Sequence, residues 1–307
     1  MMSKDLRFKL TFVANEEAAE MRLREFLHLK GISKRTLTAT KYDGGLLLVN
    51  GIERDVRHVL KSGDEVTILF PLEQPSIGLH ATEGPLTILY EDDALIIIDK
   101  PPGQSTIPSR DHPDGTVANF VAGKFARDCL PATVHVVTRL DRDTSGIICI
   151  AKNRHIHHLL SQQMIHDGFH KQYIAIVEGH VDRSNFMIDA PIGRKEGSII
   201  ERMVRDDGQL ARTEINVVNR FTVEGQQLTK VALVLLTGRT HQIRVHMQWA
   251  GHPLAGDDLY GGKLSLIGRQ ALHCAAIEFS HPLTGERVRF ESDVPLDMSS
   301  LIFSRII

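Results

Sequence analysis

The sequence predicts an α+β fold in two units, a small one followed by a large one. Three observations carry this. Short β-branched runs, among them Leu95–Ile98, Ile147–Ala151 and Leu228–Leu236, read as buried strands. The stretches Thr116–Asp128 and Arg154–His166 carry apolar residues at helical spacing. Pro71, Pro75 and Pro85 bracket a polar stretch without periodicity, which divides the chain into 1–72, a linker 73–85, and 86–307.

Composition bounds the rest. A chain of 307 residues is long enough for about two domains and a sizeable core. Its 42% hydrophobic and 24% charged content are those of an ordinary globular protein. The net charge of -2 gives no global nucleic-acid signal, so any such contact falls to local patches. No apolar run approaches bilayer length, and Met1–Asp5 leads into no signal-peptide core, so no membrane partner and a cytoplasmic location are expected. Cys129, Cys149 and Cys274 are odd in number and far apart, which argues for free thiols in a reducing compartment.

In the first unit, Ala19, Leu23, Phe26 and Leu27 fall at helical spacing, and Gly31 can end that helix. Ser33 is placed to cap a second helix through about Lys41. Leu46–Val49 reads as a strand, Asn50-Gly51 as a tight turn, and Glu65–Phe70 as a last strand. Between Met21 and Lys41, six basic residues (Arg22, Arg24, Lys30, Lys34, Arg35, Lys41) face one acid, Glu25. Such a cluster is either a solvated helix face or a phosphate-binding patch.

The second unit opens with strands at Leu86–Tyr90 and Leu95–Ile98, then Lys100-Pro101-Pro102-Gly103, which can continue neither strand nor helix. Helix 116–128 follows. In helix 154–166, Ile156, Leu159, Leu160 and Met164 point inward and the histidines mostly away. His155 and His158 have metal-like spacing, but no acidic or Cys partner is near and no metal is expected. Strand Lys171–Gly179 turns Tyr173 and Ala175 to one face. Ala211–Phe221 and the apolar Leu228–Leu236 are further strands, the latter interior to a sheet. Thr240 can cap a helix with Ile243, Met247 and Ala250 inward, leaving His241, Gln242 and Arg244 in a first turn that attracts an anion.

The chemistry concentrates in Thr138-Arg139-Leu140-Asp141-Arg142-Asp143-Thr144-Ser145-Gly146, a polar loop between the apolar runs Val134–Val137 and Ile147–Ala151. A loop held between rigid strands suits catalytic groups, and is equally what a charged hairpin connection looks like. Arg139-Leu140-Asp141 followed by Thr144-Ser145-Gly146 resembles the signature of the RluA/RluD-type RNA pseudouridine synthases. Thr138 stands where that family usually has His. Asp99–Gly103, the His241-Gln242-Ile243-Arg244 run, Gly251–Leu254, Gly256-Asp257, Tyr260-Gly261 and Leu272-His273 also fit, with Cys274 in place of the usual small residue. The first unit, over roughly 12–70, resembles an S-four-like (αL) RNA-binding domain.

The resemblance implies a mixed, mostly antiparallel central sheet with flanking helices and an RNA cleft across one face. It implies an isomerase that breaks the N-glycosidic bond of uridine, turns the uracil and rejoins it through C5. It makes Asp141 the catalytic carboxylate, Arg244 its guanidinium partner, and Tyr173 the stacking tyrosine. Arg139 would fill the gap left by a flipped base. Thr144, His241 and Gln242, with Arg22, Arg24, Lys34 and Arg35 of the first unit, would contact RNA. The partner is ribosomal RNA or, next, tRNA, with no obligate protein partner. The reaction needs no external group, so no cofactor is expected, and no phosphate-binding glycine loop or zinc-deaminase motif is present. Asp143 is the runner-up carboxylate. Two other readings stand beside this: a non-catalytic RNA-binding factor on a silent synthase fold, and an unrelated Asp/His hydrolase, against which no Gly-x-Ser-x-Gly elbow appears.

Overall fold

The computed structural model describes residues 7–76, 78–110, 112–166 and 168–303, the last by backbone alone. The start of the chain, Met1–Asp5, lies outside the described residues.

Residues 7–70 form their own sheet and core. Strands β1 (Lys9–Val13), β2 (Leu46–Val49), β3 (Ile52–Glu53) and β4 (Glu65–Leu69) pair antiparallel in the order β1-β4-β2-β3. Helices α1 (Leu23–Leu29) and α2 (Lys34–Tyr42) accompany it. Leu23, Phe26, Leu27, Ile32, Leu47, Val66 and Ile68 close a single cluster. Ser33 caps α2, its Oγ accepting from the Thr36 N–H at 3.1 Å. Asn50 (φ 52°) and Gly51 (φ 76°) both take the left-handed conformation that a tight hairpin turn with the twist of its strands demands.

The second unit contains β5 (Thr87–Glu91), β6 (Leu95–Lys100), α3 (Val117–Arg127), β7 (His135–Val136), β8 (Ser145–Ala151), α4 (Arg154–Ile165), β9 (His170–Glu178) and β10 (Asn185–Asp189). There follow β11 (Ile192–Arg194), β12 (Arg202–Val204), β13 (Arg212–Val223), β14 (Gln226–Leu235), α5 (Gln242–Trp249), β15 (Leu272–Ser280), β16 (Arg287–Glu291) and α6 (Leu296–Phe303). The main sheet runs β10-β13-β14-β9-β15-β8-β6-β5, with β7 on β8 and β16 on β15. Every pair in it is antiparallel except β8 with β15, so the expected mixed, mostly antiparallel sheet is present. β11 and β12 form a separate hairpin.

Strand β8 is buried along its whole length because helices cover both faces. On one, Ile148 and Ile150 meet Val117, Val121 and Phe125 of α3. On the other, Ile147 and Cys149 share a core with Ile156 and Leu160 of α4 and Ile243 and Met247 of α5. The parallel register pairs Ser145 with His273 and Gly146 with Cys274. A Cβ on Gly146 (φ 109°) would lie 2.3 Å from the Cys274 carbonyl oxygen, so only glycine admits this pairing. That crossing point holds the end of the polar loop.

Three local expectations meet a different geometry. The run Val134–Val137 gives only a two-residue strand, because the chain bulges there: the N–H groups of Val137 and Thr138 both donate to the Cys149 carbonyl. Thr240 does not cap α5; His241 precedes that helix in the left-handed conformation (φ 58°). His155 is buried, not solvent-facing, because the first unit covers α4: its ring stacks on Phe70 at 5.1 Å and 26°. The linker is also held to the second unit. Glu73 of the linker pairs with His135 and accepts from the Arg154 N–H at the start of α4.

Candidate active site

A cleft of about 560 Å³ opens over the sheet, lined by residues 138–142 and Thr144 of the polar loop, by Met164, Phe169, Lys171 and Tyr173, and by residues 235–244. The loop is fixed from beneath. Thr138 is buried, and its Oγ1 accepts from the Cys149 N–H at 2.9 Å, so the residue standing in place of the usual His anchors the loop to β8. Thr106 Oγ1 donates to the Leu140 carbonyl (2.8 Å). Lys100 is fully buried, and its Nζ donates to the carbonyls of Pro101 (2.8 Å), Gln104 (2.9 Å) and Arg142 (3.0 Å). Burial pulls the Lys100 ammonium down to about 8 against the charges of Asp143 and Asp141. The motif around Asp99–Gly103 therefore ties two loops together through one side chain.

With the loop fixed, Asp141 faces α5. Arg244 Nη1 donates to Asp141 Oδ2 at 3.1 Å. The other edge of the same guanidinium makes a bidentate pair with Asp257, Nε to Oδ2 and Nη2 to Oδ1, both at 2.7 Å. Burial works against the Arg244 charge, and the Asp257 and Asp141 carboxylates more than offset it, so its proton is held more tightly than usual. The Tyr260 ring lies under the guanidinium, 4.9 Å from centroid to Cζ. Arg244 thus spans two carboxylates in a planar fork that a lysine could not reproduce.

The His241 ring approaches Asp141 from the same side, Nε2 to Oδ2 at 3.7 Å, while Nδ1 meets the Tyr260 hydroxyl at 2.8 Å. That hydroxyl accepts from the Arg202 N–H (2.9 Å), which leaves its own proton for His241 Nδ1. The imidazole is thereby fixed with its remaining N–H on Nε2, toward Asp141. Burial, and then the Arg244 charge, lower the His241 pKa against the pull of Asp141 and Asp257.

Tyr173, on β9, is 5% exposed at the cleft wall, beside the buried Cys274 of β15 with which its strand pairs. Burial first, then Cys274 and the Asp141 charge, push its phenol well above the usual value, so it serves as a neutral group. Asp141, Tyr173, Arg244, His241 and the exposed Arg139 thus line one cleft. Thr144 and Gln242 also border it but are buried and engaged inside the protein. Thr144 Oγ1 accepts from Gln270. The Gln242 amide accepts from Thr237 Oγ1 and the Arg239 N–H and donates to Arg212 and Thr213. Both hold the walls. Arg22, Arg24, Lys34 and Arg35 are exposed on the first unit and none of them lines the cleft. Asp143 does not line it either; its carbonyl accepts from Arg269. Lys100, Asp257, Tyr260 and Lys171 were assigned no role from the sequence. The matching runs around Asp99–Gly103 and Gly256–Gly261 were the signal for three of them.

Residues 94–249 match the family described as RNA pseudouridylate synthase. An uncharacterized RNA pseudouridine synthase of Bacillus subtilis, YjbO, is 49% identical over 282 residues, covering 92% of this chain and 98% of that protein. The chain belongs to the RluA/RluD-type RNA pseudouridine synthases. A ribosomal large subunit pseudouridine synthase D of Xanthomonas campestris is 36% identical over 84% of this chain and 80% of its own length. Among solved structures, human RNA pseudouridylate synthase domain containing 1 shares the fold, with a TM-score of 0.56 and 24% identity over 72% of this chain and 86% of that one. The chain is accordingly an isomerase acting on RNA. Among the described residues, no helix is long and apolar enough to cross a membrane.

Proposed function

We propose that this synthase isomerises uridines in structured ribosomal RNA, with tRNA as the second candidate, and that Asp141 is its catalytic carboxylate. The observation that carries the reading is Arg244 held between Asp257 and Asp141 at the edge of the cleft. A carboxylate that attacks a sugar must keep its charge where water is scarce. A guanidinium already fixed by a second carboxylate supplies that without rearranging. Asp141 then either bonds to C1′ or takes a proton from the ribose. Tyr173 stacks on the uracil as a neutral phenol and can donate to it. His241 adds a second donor toward Asp141. A uridine in a stem reaches the cleft only by leaving the stack, at a cost of a few kcal/mol, and Arg139 at the loop surface is placed to fill the gap.

The ribosomal preference draws on the relatives named as ribosomal large subunit pseudouridine synthase D. Residues 1–72 act as an S-four-like RNA-binding domain joined by linker 73–85 to the catalytic domain 86–307. In that domain Arg22, Arg24, Lys34 and Arg35 contact phosphates, which gives affinity without sequence choice. The test is pseudouridine mapping of total RNA from cells lacking the protein, rescued with wild type or Asp141→Asn. One ribosomal position disappears and only wild type restores it. Rescue by Asp141→Asn rejects the carboxylate's role, and a site lost from tRNA alone rejects the ribosomal substrate.

A further inference from the structure

Lys171 lies on β9 two residues before Tyr173, on the same face, and lines the same cleft. Two strand residues span about 7 Å, so the amine lies beyond Tyr173 along the cleft wall. Of the arginines that line the cleft, Arg244 is committed to two carboxylates, Arg142 donates to the Gly103 carbonyl, Arg239 donates to the Leu210 carbonyl, and Arg139 stands exposed at the loop surface. Among the described residues the Lys171 ammonium makes no hydrogen bond or ion pair, and the Cys274 thiol is the group that acts on its charge. The chain also leaves room for it. Gly238 has an ordinary φ, yet a Cβ there would lie 3.3 Å from Lys171 Nζ. A partly buried ammonium with no ion-pair partner, in a site for a neutral base, answers to a negative charge that arises during the reaction.

We propose that Lys171 is a further catalytic residue, whose ammonium binds O2 or O4 of the uracil while the ring is detached from the sugar. This rests on the reading of the cleft given above. When the C1′–N1 bond breaks, its electron pair leaves on N1 and the charge spreads to O2 and O4. Asp141 balances the sugar by bonding to C1′ or by taking the C2′ proton, which it later returns. The ring turns, C5 forms the new bond to C1′, the proton on C5 is lost to solvent, and N1 gains one. Nothing is oxidised or reduced. A single ammonium on a flexible stem suits a ring that must turn, whereas a planar guanidinium fork would pin it.

The experiment uses the full chain and bulk RNA labelled with 5-tritiated uridine in cells lacking the protein, which contains the target whatever its identity. Tritium release reads the loss of the C5 proton. Lys171→Met lowers the single-turnover rate about 10²-fold while the RNA dissociation constant stays within about twofold. Burial lowers the Lys171 pKa, so wild-type activity falls as pH rises through it; Lys171→Arg moves that limb upward. Cys274 acts on the Lys171 charge, and the other titratable or charged groups lining the cleft with it are Asp141, Tyr173, His241, Arg139, Arg142, Arg239 and Arg244. The Cys274 thiol is pushed up to about 12, Tyr173 is raised well above its usual value and the His241 pKa is lowered, so none of these three supplies that limb; Lys100, pulled down to about 8 beneath the Asp141 loop, can add an alkaline limb of its own, and only a limb that belongs to Lys171 moves in Lys171→Arg. A Lys171→Met rate near wild type overturns the proposal. So does a rate and an affinity that fall by the same factor, which marks a phosphate clamp. If Lys171→Met does not fold, an alkaline limb unmoved in Lys171→Arg overturns it. Release by Asp141→Asn at the wild-type rate would count against the carboxylate alone.

Discussion

Replacing Asp257 by Asn changes no volume and removes one charge from a pair that is almost wholly buried: Asp257 is 1% exposed and Arg244 6%. Two hydrogen bonds of 2.7 Å put the charge centres about 4 Å apart, where the attraction is about 4 kcal/mol at an effective dielectric of 20. The asparagine keeps one acceptor but turns its NH2 toward an N–H of the guanidinium, so one of the two bonds becomes a donor–donor clash. Breaking a buried pair by removing one partner costs about 3–5 kcal/mol. Part of that returns when Arg244 turns fully onto Asp141, which it already touches at 3.1 Å. The expected loss of unfolding free energy is about 3 kcal/mol, read as a fall in the urea midpoint at unchanged slope. The same turn misplaces the guanidinium, and a displacement of about 1 Å in a catalytic constellation can cost about 10²-fold in rate. Tritium release measures this. The double variant Arg244→Met/Asp257→Leu separates the two effects: it recovers stability, because apolar packing replaces the pair, and stays inactive. Asp257→Asn with wild-type midpoint and wild-type rate would refute the claim that Asp257 holds Arg244 in place.

Two further outcomes follow from other parts of the chain. Burial, then His158, pull the His155 pKa down to about 4, against about 6.5 in the unfolded chain. The unfolded chain takes up the proton first, so the stability from the neutral ring is whole above about pH 6.5 and is lost as pH falls toward about 4, a span of roughly 3 kcal/mol. His155→Phe keeps the stack on Phe70 and flattens that acid limb; chemical denaturation from pH 7 to 4 checks it, and an unaltered limb rejects the assignment. Lys34→Ala/Arg35→Ala lowers RNA affinity alike for all sequences and reduces the slope of log K against log salt by about one per residue, with the single-turnover rate at saturating enzyme preserved. A filter-binding salt titration with an unchanged slope removes the first unit's patch from the RNA contact.

Much of this protein was determined by local sequence. Strand and helix positions follow from apolar periodicity, because burying one face is what stabilises an isolated element against solvent. Ser33 caps α2 and Asn50-Gly51 turns a hairpin because cap and turn chemistry act over two or three residues. The Asp141 and Arg244 contexts were legible as motifs, although 103 residues separate the two. What the tertiary structure alone decided is every relation between distant segments. The sequence could not say that β8 and β15 run parallel at Gly146, that Lys100 ties down the loop carrying Asp141, or that Asp257 holds the far edge of Arg244. Nor could it say that Thr138 anchors a bulge, that Thr144 and Gln242 spend their polar atoms inside the walls, or that His155 is buried under Phe70. A hydrogen bond or a desolvated charge depends on which atoms share a dry volume. That is fixed only when the sheet order brings the segments together.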